Sequence, residues 1–394
     1  MISVAEATSI IQSHLFQPSP EMVPLADALN KYLAETVVAD RDFPAFDRVM
    51  MDGIALSSGN FSSDKSYQIE ATQFAGASPL TLNDRNNCVE VMTGAVLPGN
   101  TDAVIRYEDL NVKDGMVRIN LDAIEPYQNV QRQGVEAVKG SVLLSPGHLI
   151  TPATIGVLAT VGKDKVEVYS SPRVMIVSTG DELVPVDETP EAYQIRQSNS
   201  HTLVALFRKA GIDAVRLHLT DNREGLRRKL SEVLDQYDLV LLTGGVSKGK
   251  KDYVPEVLDE LGVQKHFHRV AQKPAKPLWF GSRGNTFVFG LPGNPVSTFL
   301  GYHRYVLAWL SHSYSSETDV RKAILKGDFE LHADLTYFLQ VKLTYEDGCF
   351  MAEPVTGKGS GDLLNLTRAD GFLELPANQS RFKSGEIFRF IPFK

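Results

Sequence analysis

The sequence predicts a multi-domain α/β protein, with a central three-layer α/β domain flanked by β-rich segments. Two observations carry this. From Pro172 to about residue 315, strand-length apolar runs alternate with amphipathic helical stretches, the pattern of βαβ units and a covered parallel sheet. From Ile54 to about Gln133, and again from about Asp319, short alternating segments are broken by Gly, Pro, Asn and Asp, as in small β-rich domains. The chain has 394 residues, too many for one ordinary core, so several domains are expected.

Taken in order, residues 3–14 and 21–38 carry helix-like apolar spacing, with Ser3 and Ser19 as caps. Asp40 to Arg48 is a charged loop with a proline and two aromatics. Strands are expected at Tyr67–Ala71, Val89–Met92, Ala103–Arg106 and Met116–Asn120. Residues 134–171 are mixed in character: Val142–Leu144, then Pro152–Thr160 as a helix and Val166–Tyr169 as a strand. The central rhythm follows. Strands are read at Arg173–Val177, Ala214–Leu219, Leu239–Leu242 and Thr286–Phe289, and helices at Ser198–Ala210, Asn222–Leu234, Val254–Leu261 and Pro295–Leu310. The last strands are Arg321–Leu325, Tyr337–Leu343, Phe350–Glu353, Gly371–Leu375 and Ile387–Phe390, enough for a small barrel-like β domain. The expected layout is a mixed N-terminal domain of residues 1–42 and 134–171, an inserted β-rich domain of 43–133, the α/β domain of 172–315 and a C-terminal β domain of 316–394.

Hydrophobic content of 43% and charged content of 22% are those of a globular protein. The formal net charge of −8 argues against a nucleic-acid binder, which would show a basic face. Any anionic ligand must then be met by local lysines and backbone N–H groups. Cys88 and Cys349 lie far apart without metal-ligand spacing, so neither a disulfide framework nor a zinc site is expected. No secretory signal and no apolar run of membrane-spanning length is read, and a cytoplasmic protein without membrane contact is expected.

The chemistry concentrates in the central domain. The apolar run Leu239–Leu242 stops at Thr243-Gly244-Gly245, a buried strand entering a tight turn. Ligands of open α/β sheets bind at the carboxyl ends of such strands. The loop adds Ser247, Lys248, Lys250 and Lys251 as donors and Asp252 as a metal or proton partner. A second loop, Gly290-Leu291-Pro292-Gly293-Asn294-Pro295-Val296-Ser297, places Asn294 as N-cap and Pro295 as first helical residue, and a helix N-terminus favours anions. Tight turns need glycine but not clustered Ser and Lys, so the pair of loops points to a phosphorylated or oxyanionic small molecule.

Carboxylates follow the strands in the same way: Asp181 and Glu182 after Val177-Ser178-Thr179-Gly180, Asp221 after Ala214–Leu219, and Asp252. Singly, each is a loop charge or a cap. Together at one sheet edge, Glu182, Asp221 and Asp252 suit a hard cation, Mg²⁺, beside a pyrophosphate. In Lys273-Pro274-Ala275-Lys276-Pro277, two prolines stiffen the backbone that carries two lysines, which suits an oxyanion. His266 and His268 are assigned no chemistry. Asp52 in Met51-Asp52-Gly53, Thr93 in Met92-Thr93-Gly94-Ala95, and Ser360 in Gly359-Ser360-Gly361 read as ordinary turn residues on their own.

Together these segments resemble the MoeA family, the molybdenum-inserting enzymes of molybdenum cofactor synthesis, to which the E-domain of gephyrin-like proteins is related. The resemblance spans nearly the whole chain. It implies that the α/β domain binds molybdopterin. It also implies an elongated homodimer with a site between the central domain of one subunit and the inserted domain of the other. The implied reaction takes adenylylated molybdopterin and molybdate to molybdenum cofactor and AMP with a divalent metal. The family's functional residues match Asp52, Thr93, Glu182, Asp221 and Asp252, and its oxyanion-binding residues match Lys273, Lys276 and Ser360. Thr243, Gly244, Gly245 and Ser247 are then expected on the substrate phosphate, with Pro292, Gly293, Asn294 and Ser297 beside them. Other proteins of the same synthesis are possible partners. The sequence departs from the family pattern at three places. Gly134-Val135-Glu136 retains the acid only as Glu136, Ala275 stands where a glycine is expected, and Gln340 stands where an arginine is expected. Two further readings are a molybdopterin adenylyltransferase, which usually lacks the flanking β domains, and a non-catalytic scaffold.

Overall fold

A computed structural model describes residues 1–246, 253–315, 320–331, 334–346 and 348–393. It divides into two compact units. One comprises Met1–Ala34, Gly147–Pro152 and Lys165–Lys394; the other comprises Glu35–Pro146 and Ala153–Asp164.

The first unit is built on a six-stranded sheet in the spatial order Ala214–Leu219, Val174–Thr179, Leu239–Thr243, Thr286–Leu291, Trp279–Arg283, Gln264–His268. The first four strands are parallel. The last two are antiparallel, so the sheet is mixed rather than wholly parallel as expected. The cause is local. Arg283 pairs with Thr286 across Gly284 and Asn285, and so short a link returns the chain antiparallel.

Alternation along the strands divides the apolar side chains between two cores. Val174, Ile176, Leu239, Leu241, Phe287 and Phe289 pack with Leu203 and Phe207 of helix Asn199–Lys209 and with Leu300, Tyr305 and Trp309. Met175, Val177, Val240, Leu242 and Val288 pack with Leu230 and Val233 of helix Arg223–Gln236 and with Val257 and Leu258 of helix Val254–Glu260. The expected three layers are present.

Helix Val4–Gln12 opens on Ser3, which forms a capping box with Glu6, and adds Val4, Ala7 and Ile11 to the first core. The helix expected at 21–38 does not form. Pro20–Pro24 is a strand paired antiparallel with Lys165–Tyr169, Leu25–Asp27 is a single 3-10 turn, and Val37–Val38 is a short strand. Pro20 and Pro24 stand four apart at the start of the segment, where the Pro24 ring would clash with the Pro20 carbonyl in a helix and biases Val23 to extended backbone. Ser19 is therefore not a cap; its backbone N–H donates to Ser170 Oγ. The helix expected from Pro295 to Leu310 is interrupted: Pro295–Gly301 is α, Tyr302–Val306 is a π turn and Leu307–Ser313 is α again.

The C-terminal strands Thr336–Glu346, Cys349–Pro354, Arg321–Leu325, Ile387–Pro392 and Gly371–Leu375 close into a five-stranded barrel. Leu325, Leu339, Val341, Ala352, Leu373 and Leu375 fill it. The short strand Gln272–Lys273 runs parallel beside Thr336 and Tyr337. Helix Leu363–Arg368, absent from the sequence reading, is capped by Asp362, which accepts from Asn365 N–H.

The second unit holds a six-stranded sheet in the order Ala103–Arg106, Gly53–Leu56, Cys88–Val91, Ser66–Gln73, Met116–Ile119, Leu110–Lys113. Val89, Val91 and Val104 pack on one face, and Ile54, Tyr67, Ile105 and Val117 on the other. Both cysteines are free thiols, Cys88 buried and Cys349 exposed. No helix among the described residues is long and apolar enough to cross a membrane.

Candidate functional site

The four parallel strands end at one edge of the central sheet, and their loops build the site. After Val174–Thr179 comes Gly180, whose φ is 134°; a Cβ there would lie 2.5 Å from the Glu182 carboxylate. The Glu182 side chain thus folds back over bare backbone. The next acid, Asp181, accepts from the Asp221 N–H at 3.0 Å and joins the first loop to the second.

The third strand ends in Thr243-Gly244-Gly245. Gly244 N–H donates to the Leu291 carbonyl at 3.2 Å. Gly244 and Gly245 have φ of 91° and 63°. Cβ atoms on them would stand 2.7 Å from the Thr179 carbonyl oxygen and 2.7 Å from Thr179 Oγ1. Conformation and crowding both call for glycine here. Ser247 and Asp252 lie outside the described residues.

In the fourth loop, Thr298 Oγ1 donates to the Pro292 carbonyl at 2.6 Å and Asn199 Nδ2 to the Gly293 carbonyl at 2.7 Å. Asn294 occupies the N-cap position, as expected, but its side chain makes no cap bond. Instead Asn294 Nδ2 donates to Ser360 Oγ at 2.8 Å, while the Val296 N–H donates to the Ser360 carbonyl at 3.1 Å. Ser360 is thereby docked on the helix start.

Two cavities meet at Asn294. One, of about 240 Å³, is lined by Thr179, Glu182, Thr243, Gly244, Gly293 and Asn294, with Ser198 and Asn199. The other, of about 760 Å³, is lined by Lys273, Lys276, Pro292, Asn294, Ser297 and Ser360 together with Tyr337 and Gln340. The structure therefore groups most of the residues expected in the central and C-terminal parts. Gly245 follows Gly244, and Asp221 joins through Asp181.

Lys273 and Lys276 are exposed, and Lys273 Nζ stands 5.9 Å from the centre of the Tyr337 ring. Between them Ala275 is 2% exposed with φ of 63°. Its N–H donates to Ser297 Oγ at 3.2 Å, so Ser297 supports the lysine turn as well as lining the cavity. Gln340, where an arginine was expected, accepts from Asn365 Nδ2 at 3.2 Å. Asn365 is 2% exposed and also donates to the Val355 carbonyl. Gln340 is thereby held in a neutral amide pair.

In the second unit, Thr93 N–H donates to Asp52 Oδ1 at 2.6 Å. The backbone bond first, and the Thr93 side chain second, hold the Asp52 carboxyl below its ordinary value. A Cβ at Gly53 would stand 1.9 Å from the Ile105 carbonyl oxygen, which accounts for the glycine after Asp52. Tyr107 donates its N–H to the Asp52 carbonyl and its hydroxyl to Glu90 Oε1 at 2.7 Å. Burial, then Glu90, pushes the Tyr107 phenol up to about 12. Glu136 accepts from Gln131 Nε2 at 2.6 Å.

Sequence reasoning missed Asn199, Tyr107, Glu90, Gln272 and Asn365. Ser198-Asn199-Ser200 before an amphipathic run was a readable helix-start signal. The others meet their partners only through tertiary contacts.

For a cation, the described residues offer Glu182 and Asp221 on adjacent strand-end loops. Among the described residues, no group of three His, Cys, Asp or Glu is close enough to hold a metal ion alone. Glu182 lines the smaller cavity and Asp221 is joined to the same loop through Asp181, and carboxylates are the ligand type Mg²⁺ takes, commonly one or two with water and substrate phosphate completing the shell.

The fold and its loops define a molybdopterin-binding type of α/β protein extended by β domains. Residues 175–312 match the family described as probable molybdopterin binding domain. Residues 2–162 match the MoeA N-terminal region (domain I and II), and 322–393 the MoeA C-terminal region (domain IV). Molybdopterin molybdenumtransferase of Synechocystis is 40% identical over 396 residues, covering 99% of each chain. That of Bacillus subtilis is 30% identical, covering 99% of this chain and 94% of its own. A crystal structure of a molybdopterin biosynthesis moeA protein from Pyrococcus horikoshii superposes with a TM-score of 0.83 at 26% identity, covering 100% of both chains. The chain belongs to the molybdopterin molybdenumtransferase (MoeA) family, transferases that insert molybdenum in molybdenum cofactor biosynthesis.

Proposed function

We propose that this protein transfers molybdenum from molybdate into adenylylated molybdopterin with release of AMP, acting as a homodimer. The observation that carries this is the meeting of two unlike cavities at Asn294. The smaller has glycine turns and a carboxylate, suited to a phosphorylated substrate. The larger carries two lysines and Ser360, suited to a tetrahedral oxyanion.

On this reading Thr243, Gly244, Gly245 and Ser247 hold the pterin phosphate, with Pro292, Gly293 and Asn294 against it. Lys273, Lys276, Ser297 and Ser360 hold molybdate. Glu182, Asp221 and Asp252 would hold Mg²⁺, which neutralises charge at the anhydride when bound. No nucleophilic side chain is needed, because phosphoryl chemistry rests on positioning and charge stabilisation. Asp52 and Thr93 act on the central domain of the partner. The bond from Thr93 favours the ionised form of Asp52 and orients its carboxylate.

The test is AMP release from adenylylated molybdopterin, titrated with molybdate. Lys276→Ala raises the molybdate half-saturation about ten- to a hundredfold, the loss of one charge-assisted contact of about 1.5–3 kcal/mol, and leaves the pterin half-saturation in place. An unchanged molybdate dependence removes the oxyanion assignment. ATP consumption with free molybdopterin and no AMP release would instead indicate the adenylyltransferase, and neither reaction a scaffold.

A further inference from the structure

We propose that Gln272 is a positioning residue for the oxyanion site: its side chain, anchored by Tyr305, fixes the turn that carries Lys273 and Lys276. This rests on the reading that the two lysines hold the oxyanion.

The turn needs holding because of Ala275. At φ of 63° its backbone lies in the left-handed region, where a side chain is disfavoured and glycine is at ease. Pro274 and Pro277 fix their own φ but not that of Ala275; unclamped, Ala275 would relax out of the left-handed region, and the spacing of the two lysines would change with it. The structure clamps its central residue at both polar groups. Ser297 Oγ accepts from the Ala275 N–H at 3.2 Å, and Gln272 Nε2 donates to the Ala275 carbonyl at 3.0 Å. Val270 N–H closes the loop on the Lys276 carbonyl at 2.9 Å.

Gln272 is itself fully buried, at 0% exposure. A buried amide must place both its donor and its acceptor, so its orientation is fixed by whatever meets the far end. That partner is the Tyr305 hydroxyl, 1% exposed, which donates to Gln272 Oε1. Gln272 also sits one residue before Lys273, on the strand paired with Thr336 and Tyr337. It therefore links the barrel, the helix layer and the turn. Two lysines whose backbone is already fixed leave only their side chains to order around an oxyanion; a loose turn must be ordered as well on binding, at the expense of affinity.

Gln272→Met keeps the length and removes both amide groups. In AMP release at saturating adenylylated molybdopterin, its molybdate half-saturation rises on the order of fivefold, the worth of one hydrogen bond. The rate at saturating molybdate and the pterin half-saturation stay as in the wild type. Adding Ala275→Gly brings the molybdate dependence most of the way back, because glycine takes the same φ unaided. A glutamine that merely fills the core would lower the unfolding temperature and the yield of active enzyme without moving the molybdate half-saturation; that result overturns the proposal. Lys276→Ala is measured alongside. A rise there with none in Gln272→Met overturns the positioning role alone, whereas no rise in Lys276→Ala overturns the oxyanion reading and the positioning role together. Should Gln272→Met not fold, Tyr305→Phe removes only the hydroxyl that orients the amide. It raises the molybdate half-saturation about twofold, and no change there overturns the proposal equally.

Discussion

Arg304 and Glu374 give a quantitative test of how the helix layer is tied to the barrel. Arg304 lies in the π turn and is 4% exposed. Its guanidinium meets the Glu374 carboxylate through two bonds, Nε to Oε2 at 3.0 Å and Nη2 to Oε1 at 3.3 Å. Arg389 Nε stands 3.9 Å from the same carboxylate. Burial first, and the like charge of Arg304 next, lower the Arg389 pKa, against the pull of Glu374. Glu374→Leu leaves Arg304 buried without its counter-ion, a loss of about 3–5 kcal/mol. Arg304→Met costs less, about 1–3 kcal/mol, because Arg389 remains for Glu374. The double variant Arg304→Met/Glu374→Leu recovers part of the loss, since apolar groups of similar volume replace a buried pair at little net cost while Arg389 is left without its carboxylate. The coupling between the two sites is then at least about 2 kcal/mol. Urea unfolding followed by tryptophan fluorescence reads this directly. The chain has two tryptophans, Trp279 and Trp309, both buried in the unit that holds the pair. A Glu374→Leu protein within about 1 kcal/mol of the wild type, or a double variant as unstable as the two losses added, would refute the reasoning.

Gln340→Arg places a cation beside Ser360 and lowers the molybdate half-saturation, while loss of the Asn365 bond costs about 1 kcal/mol of stability; an unchanged or higher value in the molybdate titration counts against this. Mixing Asp52→Ala with Asp252→Ala subunits restores part of the AMP release, because one site of the mixed dimer is intact. No recovery after verified subunit exchange means that each site is built within one chain. Glu70 is held at about 2 by the Asn83 N–H, the Asn87 side chain and the Asp84 N–H. Because its folded value is depressed, its contribution is complete above the ordinary carboxyl range and is lost as pH falls through about 2. Thermal midpoints measured from pH 5 to 2 therefore fall more steeply for the wild type than for Glu70→Gln, and parallel curves reject this.

The parts of the fold that were legible are those where local pattern and tertiary environment ask for the same thing. Leu239–Thr243 is apolar at nearly every position because it is buried on both faces, and its strand could be read directly. The segment 21–38 misled because apolar spacing was weighed above Pro20 and Pro24, which favour a strand edge. Trp279–Arg283 was unread because its place depends on two antiparallel neighbours. The site divides in the same way. Glycine turns announce themselves, since Gly244, Gly245 and Gly53 answer to backbone conformation or crowding. The contact of Asn294 with Ser360, 66 positions away, and that of Tyr305 with Gln272, 33 away, leave no trace in local sequence.

The arrangement of strands also bears on how the protein behaves when concentrated. Among the described residues the five long strands of the barrel close on one another, with only the two-residue strand Gln272–Lys273 outside the ring, whereas the two open six-stranded sheets end in Ala214–Leu219, Gln264–His268, Ala103–Arg106 and Leu110–Lys113. Each of these four border strands carries an exposed basic residue, Arg216, Lys265, Arg106 and Lys113, of which Arg106 is paired with Asp109 at 2.7 Å. Strands of two molecules meeting border to border would bring like charges together, a recognised guard against growth into aggregates. In a chain of net charge −8, Arg216, Lys265 and Lys113 are therefore poor choices for neutral substitution, since each guards an open sheet border against pairing between molecules.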